Sequence, residues 1–229
     1  MGQINEIIGD IKSGKQKTVR LQYMPYDINI AKKVWYQIAK KFIYQEIQPA
    51  QDISSVWLQL IKYVHGDPEC ELDINKSVFL MGRTGSGKSQ TMKIMNEYMK
   101  IDNVRFKRNN KIIPFIYSIF SARDIVSDFN NNGYDGLEKY VTYSIICIDD
   151  LGSEPNEAVY YGTRLNVICE VIEERYAKGL TTHFTTNLDL VHTQKYYNDR
   201  VYSRIIETCN IVKLNDKDFR IPNTLKLNL

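Results

Sequence analysis

The stretch Val78-Phe79-Leu80-Met81-Gly82-Arg83-Thr84-Gly85-Ser86-Gly87-Lys88-Ser89 decides how this chain reads. Its first four residues are apolar, enough for a short buried strand. The next eight match G-x-x-x-x-G-K-[ST] in full, and helix-forming residues follow from Lys88 to Met99. Strand, glycine loop and helix are the context a phosphate-binding loop requires. Glycines let the backbone turn its N–H groups toward an anion, and the helix N-terminus adds partial positive charge. Gly82 to Ser89, with Gln90 behind them, are therefore the expected nucleotide-binding residues. Lys88 is placed to reach the β- and γ-phosphates, and the Ser89 hydroxyl to hold a metal ion. The nucleotide expected is ATP, with Mg²⁺.

Outward from this loop the pattern repeats. Apolar runs at Ile112 to Phe120, Ser144 to Ile148, Thr182 to Thr186 and Ile211 to Leu214 read as further strands. Helical stretches separate them, one beginning at Ser121-Ala122-Arg123-Asp124, another carrying Leu165, Ile168 and Ile172 on one stripe. Asn130-Asn131-Asn132-Gly133 reads as a turn. Strands alternating with helices predict an α/β fold, a mainly parallel sheet with helices on both faces.

Upstream, Ile4, Ile7, Ile8 and Ile11 suggest a short helix. Asp27 could cap another, with Ile30, Val34, Ile38 and Phe42 on one face. A third carries Val56, Leu60 and Val64 and ends near Gly66-Asp67-Pro68. Residues 1–51 thus read as a helical N-terminal extension, free to dock on a partner or on its own domain. Residues 52–229 read as the nucleotide-binding domain.

Ser144-Ile145-Ile146-Cys147-Ile148 runs directly into Asp149-Asp150. Carboxylates at the end of a central strand stand at the sheet edge where ligands bind in doubly wound folds. Asp149 is the expected second metal ligand. Asp150 is the expected base that polarises a water for attack on the γ-phosphate.

At this point the sequence resembles a known family. Cys147-Ile148-Asp149-Asp150-Leu151-Gly152-Ser153-Glu154-Pro155 is similar to the "IDDLGxEP" segment of the DnaC-like helicase loaders. These are AAA+ ATPases, close to the IstB transposition ATPases. Val171-Ile172-Glu173-Glu174-Arg175-Tyr176 resembles the family's "I-x-x-R-Y" helix end, and Thr185-Thr186-Asn187 its sensor 1 strand. Arg200-Val201-Tyr202-Ser203-Arg204 resembles its "R-V-x-S-R" box, and Asp218-Phe219-Arg220 its terminal "D-Y-R" segment. The resemblance spans roughly residues 52 to 221.

It implies that Asn187 orients the attacking water, with Thr186 a possible sharer of that role. It implies that Arg204, with Arg200 as its rival, is an arginine finger acting in trans on a neighbour's nucleotide. Arg220 would contact nucleotide as a sensor 2 residue, with the helical lid short or absent. The activity implied is ATP hydrolysis to ADP and phosphate. Lys88, Asp150, Asn187 and Arg204 would be catalytic, and Ser89 and Asp149 would hold the metal. The partners implied are a replicative helicase, single-stranded DNA and further copies of this chain. A transposition helper, or a nucleotide-dependent switch with little turnover, remains open as an alternative. Arg105-Phe106-Lys107-Arg108-Asn109-Asn110-Lys111 is a basic stretch that could touch a single strand of DNA.

Composition is compatible with all of this. The chain has 229 residues, 43% hydrophobic and 25% charged, with a net charge of +3. That is ordinary for a globular protein and too nearly neutral to argue for nucleic acid by itself. The four cysteines form no C-x-x-C pair and do not cluster with histidines, so a zinc site is not expected. No leader or membrane-spanning run is evident, and a reducing cytoplasm fits the cysteine usage.

Overall fold

A computed structural model describes residues 20–21, 25–43, 51–101, 105–108 and 111–214. Five strands form the central sheet: β2 (Ser77–Met81), β5 (Ser118–Ser121), β6 (Ile145–Leu151), β9 (Thr181–Thr186) and β10 (Cys209–Lys213). Their order is β10-β2-β9-β6-β5, and every pairing is parallel. The phosphate loop lies between β2 and helix α3 (Lys88–Ile101).

β2 and the first half of β6 read as unbroken apolar runs because both faces of the sheet are covered, while β9 buries Thr182, His183, Thr185 and Thr186 beside Phe184. Val78 and Leu80 of β2, with Ile145 and Cys147 of β6, face one core. That core is closed by α1 (Ile28–Phe42), α2 (Gln51–Val64) and α3. Phe79, Ile146, Ile148 and Phe184 face the other. It is closed by α4 (Ala122–Asn132), α5 (Glu138–Thr142), α6 (Val167–Ala177) and α8 (Asp199–Thr208). Helix α7 (Leu190–Tyr196) follows β9.

Asp27 caps α1 as expected, its carboxylate accepting from the N–H groups of Asn29 and Ile30 at 2.8 and 3.2 Å. The buried face differs from the expected stripe. Ala31, Trp35, Ile38 and Ala39 are buried, whereas Ile30 is 60% exposed. Trp35 is the reason: its indole lies 5.3 Å from the Tyr98 ring and 6.3 Å from that of Trp57. So large a ring turns the helix by about one residue, roughly 100°. Through this face α1 packs into the core beside β2 and α3.

The run Ile112 to Phe120 is not one strand. Lys111–Pro114 forms β4, antiparallel to β3 (Arg105–Arg108), which also pairs with β1 (Arg20–Leu21). Only Ser118–Ser121 joins the central sheet. Pro114 has no N–H to give a ladder and so marks the break. The basic stretch Arg105 to Lys111 thus includes a strand of a small antiparallel sheet; residues 109 and 110 lie outside the described residues.

Two further departures lie on the far side. The expected turn Asn130–Gly133 is the end of α4, which continues to Asn132 and stops at Gly133, whose φ is 61°. Leu165 belongs to a hairpin, β7 (Ala158–Tyr160) with β8 (Thr163–Leu165), so α6 begins two residues later under an Asn166 cap.

Candidate functional site

The phosphate loop is held by its neighbours in the sheet. Gly82 N–H donates to the Thr186 carbonyl at 3.3 Å, and Leu214 N–H donates to the Met81 carbonyl at 2.8 Å. A Cβ on Gly82 would lie 2.8 Å from the Leu214 carbonyl oxygen and 3.0 Å from Ser86 Oγ. Neither a backbone oxygen nor the buried Ser86 can retreat easily, so glycine is required there. Gly85 and Gly87, with φ of 81° and 89°, make the left-handed turns that bring the chain back into α3. Arg83 and Thr84 are exposed at the rim; Ser89 and Gln90 are half-buried in the first turn of α3.

Lys88 is buried, and its ammonium group is satisfied by oxygen. It donates to the carbonyls of Gly82 and Arg83 at 2.8 and 2.9 Å and to Ser86 Oγ at 3.5 Å. It also donates to Asn187 Oδ1 at 2.8 Å. Charged donors out of water need such partners. The Asn187 amide then donates from Nδ2 to Asp150 Oδ1 at 2.7 Å. Lysine, asparagine and aspartate thus form one continuous chain across the end of the sheet.

The acidic pair is inside β6, not beyond it. Ile148 pairs with Phe184 and Leu151 with Thr186, so Asp149 and Asp150 together face the single residue Thr185. This is a β-bulge, and Asp150 takes up the extra residue with a left-handed φ of 60°. In a regular strand neighbouring side chains point to opposite faces. Here Asp149 Oδ1 accepts from Thr185 Oγ1 at 2.6 Å while Asp150 accepts from Asn187, two residues further along the same chain. The bulge lets both acids address one side of β9.

Thr186 is turned elsewhere: its hydroxyl donates to the Leu151 carbonyl at 2.7 Å and accepts from Leu188 N–H at 3.0 Å. Thr185 is the residue that motif reading passed over. In the sequence it has no role beyond the apolar run and the Thr185-Thr186-Asn187 segment; its one signal is a hydroxyl two residues before Asn187 on a strand buried from Thr182 onward.

The segment after the acids is pinned from below. Gly152 has φ of 89°, and a Cβ on it would lie 2.5 Å from Leu188 Cδ1. Buried Glu154 accepts from Gly152 N–H at 2.8 Å and from the Tyr197 hydroxyl. Burial and then the Glu154 charge push the Tyr197 hydroxyl well above its ordinary pKa, which keeps it a donor. Arg175 is likewise structural: fully buried, it donates to Thr182 Oγ1 and to the carbonyls of Tyr140, Tyr143 and Thr181 at 2.6 to 2.9 Å.

The two arginines of α8 make a separate cluster. Arg200 and Arg204 each place Nη1 3.2 Å from Glu173 Oε2 on α6. The Arg204 guanidinium also lies over the Tyr176 ring at 4.6 Å. The Arg204 side chain is 15% exposed and that of Arg200 68%. These contacts tie both to α6 and not to the phosphate loop of their own chain. Arg220 lies outside the described residues.

The donor set suits a divalent cation shared with a nucleotide. Ser89 and Asp149 supply hard oxygens, and Mg²⁺ takes one or two of these and fills its shell with phosphate and water. Among the described residues no group of three or more His, Cys, Asp or Glu could hold a metal alone. None of their helices is long and apolar enough to cross a membrane.

No protein-family model and no curated protein matches this sequence. Solved structures do match. The fold is similar to that of the DnaC helicase loader, with a TM-score of 0.56 and 17% identity over 80% of this chain and 99% of that one. It is similar to DnaI, with a TM-score of 0.54 and 16% identity over 86% and 94%. A provisionally assigned primosome component from Streptococcus pyogenes serotype M3 gives 0.56 and 16% over 87% and 93%. The chain has a DnaC-like fold, a mainly parallel α/β sheet with helices on both faces that carries a phosphate-loop sequence between β2 and α3.

Proposed function

We propose that this protein binds Mg²⁺·ATP at Gly82–Gln90 and hydrolyses it to ADP and phosphate. The observation that carries the reading is the chain Lys88–Asn187–Asp150, which joins the phosphate loop to an acid at the end of the central sheet. ATP replaces the loop carbonyls as the partner of Lys88, whose charge then offsets that of the β- and γ-phosphates. Ser89 and Asp149 hold the metal ion, which neutralises phosphate charge when bound. Asp150 accepts a proton from the attacking water, and the Asn187 amide orients that water. A neighbouring copy supplies Arg204 to the γ-phosphate, so the working form is an oligomer. The test is the variant Asp150→Asn, which keeps shape and removes the base. Turnover should fall by on the order of 10²- to 10⁴-fold with ATP still bound; full turnover would remove Asp150 from this role.

We further propose that hydrolysis serves to load or remodel a replicative helicase near single-stranded DNA. The likeness of the whole fold to a helicase loader supports this, as does the basic strand Arg105–Arg108. Capture from the native host with the Asp150→Asn protein and ATP tests it. A replicative helicase in the captured material is expected, whereas a transposase would turn the reading toward a transposition helper.

A further inference from the structure

The bulge in β6 sets a structural problem that one side chain solves. Asp149 and Asp150 stand against a single residue of β9, which leaves an extra N–H in the ladder and an aspartate in the left-handed region. Both features cost free energy unless something compensates. Thr185, fully buried, is that compensation. Its Oγ1 accepts from Asp150 N–H at 2.9 Å and donates to Asp149 Oδ1 at 2.6 Å.

The direction of these bonds is fixed. An amide nitrogen only donates, so the hydroxyl oxygen must accept from Asp150. Its single proton is then committed to Asp149. Asp149 is thereby oriented through its Oδ1. The backbone of Asp150 is held at the φ that turns its carboxylate toward Asn187.

We propose that Thr185 is a positioning residue of the hydrolytic site, its hydroxyl setting the metal-binding acid and the water-activating acid together. This rests on the ATPase reading given above. The hydroxyl is committed to Asp150 N–H and to Asp149 Oδ1, so its effect on the site passes through the two aspartates. Its loss should therefore change metal dependence and turnover, and not the grip of the loop on phosphate.

Three variants test this. Thr185→Val keeps the β-branched shape and removes the hydroxyl. Thr185→Ser keeps the hydroxyl and removes the methyl. Thr185→Ala removes both and, paired with Ser, carries the comparison should the valine variant not fold. Binding of a fluorescent ATP analogue is measured with Mg²⁺ and with EDTA, alongside steady-state hydrolysis.

For Thr185→Val the gain in affinity from Mg²⁺ should shrink by about 10-fold, the scale of lost support behind a metal ligand. Turnover should fall by about 10- to 100-fold. Binding in EDTA should stay within about 2-fold, and Thr185→Ser should stay near wild type on all three measures.

Wild-type metal dependence in Thr185→Val overturns the proposal. So does a serine variant as impaired as valine or alanine, because packing and not the hydroxyl would then matter. If wild type binds Mg²⁺·ATP but does not turn it over, hydrolysis falls as a reading. The metal dependence of binding still decides the role of Thr185 in that case.

Discussion

Two parts of the molecule carry charged side chains of catalytic type, and they are built differently. At the end of the central sheet, Lys88, Asn187, Asp150, Thr185 and Asp149 hold one another through hydrogen bonds of 2.6 to 2.9 Å, all within one chain. On the α6–α8 face, Arg200 and Arg204 share a carboxylate that belongs to neither the phosphate loop nor the acidic strand. On the function proposed above, the first part binds the nucleotide within one subunit, and the second, held on α6 and apart from the loop of its own chain, serves a neighbouring copy.

The largest expected effect tests the self-contained half. Lys88→Ala removes a cation that donates to the Gly82 and Arg83 carbonyls, Ser86 Oγ and Asn187 Oδ1, and leaves the Arg83 carbonyl with Ser86 N–H. Two charge-assisted bonds to phosphate contribute about 3 kcal/mol together, so ATP affinity should fall on the order of 100-fold. Lost stabilisation of developing charge adds about as much again to kcat/KM. Equilibrium binding of a fluorescent ATP analogue checks the first figure. Binding within about 3-fold of wild type would contradict the assignment of the loop.

The next effect breaks or sharpens the comparison directly. Arg204→Ala should reduce hydrolysis on the order of 10³-fold and leave the ATP affinity of the isolated chain unchanged. Mixing it with the Lys88→Ala protein should restore part of the activity. The lysine variant would donate its intact Arg204 to the arginine variant's intact loop. No recovery on mixing, at concentrations where the chain self-associates, would mean that Arg204 works within its own subunit or not at all.

The sequence reveals the first half better than the second, and the reasons are physical. A phosphate loop is local: eight consecutive residues create both the turn and the anion site, so Gly82 to Ser89 can be recognised without any partner strand. The sheet is visible because β2 and the start of β6 are covered on both faces and read as unbroken apolar runs. The bulge is invisible for the same reason. In a run without alternation, nothing betrays an extra residue at Asp149-Asp150, and the residue opposite it, Thr185, comes from a strand about 35 positions later. The β7–β8 hairpin is hidden because its turn is Tyr161-Gly162 and not one of the usual Asn-Gly or Asp-Gly pairs. The buried stripe of α1 lies about one residue from its four-residue aliphatic pattern because that pattern carries no sign of the size of Trp35. Arg204 can be found by resemblance, but its contacts with Glu173 and Tyr176 depend on how α8 packs on α6.

The smallest expected effect separates the two halves by acid. His183 lies on β9 two residues before Thr185, fully buried, with Nδ1 accepting from Val78 N–H of β2 at 3.0 Å. Burial, and then the positive charge of Arg175, lower its pKa from the ordinary 6.5 to about 3. In the folded state it is therefore neutral at any pH above that value. The unfolded chain takes up the proton below about pH 6.5, so acid favours unfolding. The stability tied to neutral His183 is complete above pH 6.5 and is lost progressively as pH falls toward 3. At pH 5 the loss is about 2 kcal/mol, from roughly 1.4 kcal/mol per pH unit. The check is denaturant unfolding at pH 7 and pH 5, compared with His183→Gln, which keeps an acceptor and cannot titrate. Carboxylates shared by both proteins cancel in that difference. A wild type that loses no more stability than the glutamine variant would show that His183 is not held neutral. A larger loss, with ATP binding falling in step, would place the strand that carries Thr185 and Asn187 at the weakest point of the self-contained half. The arginine face has no such buried histidine among the described residues and should not follow the same titration.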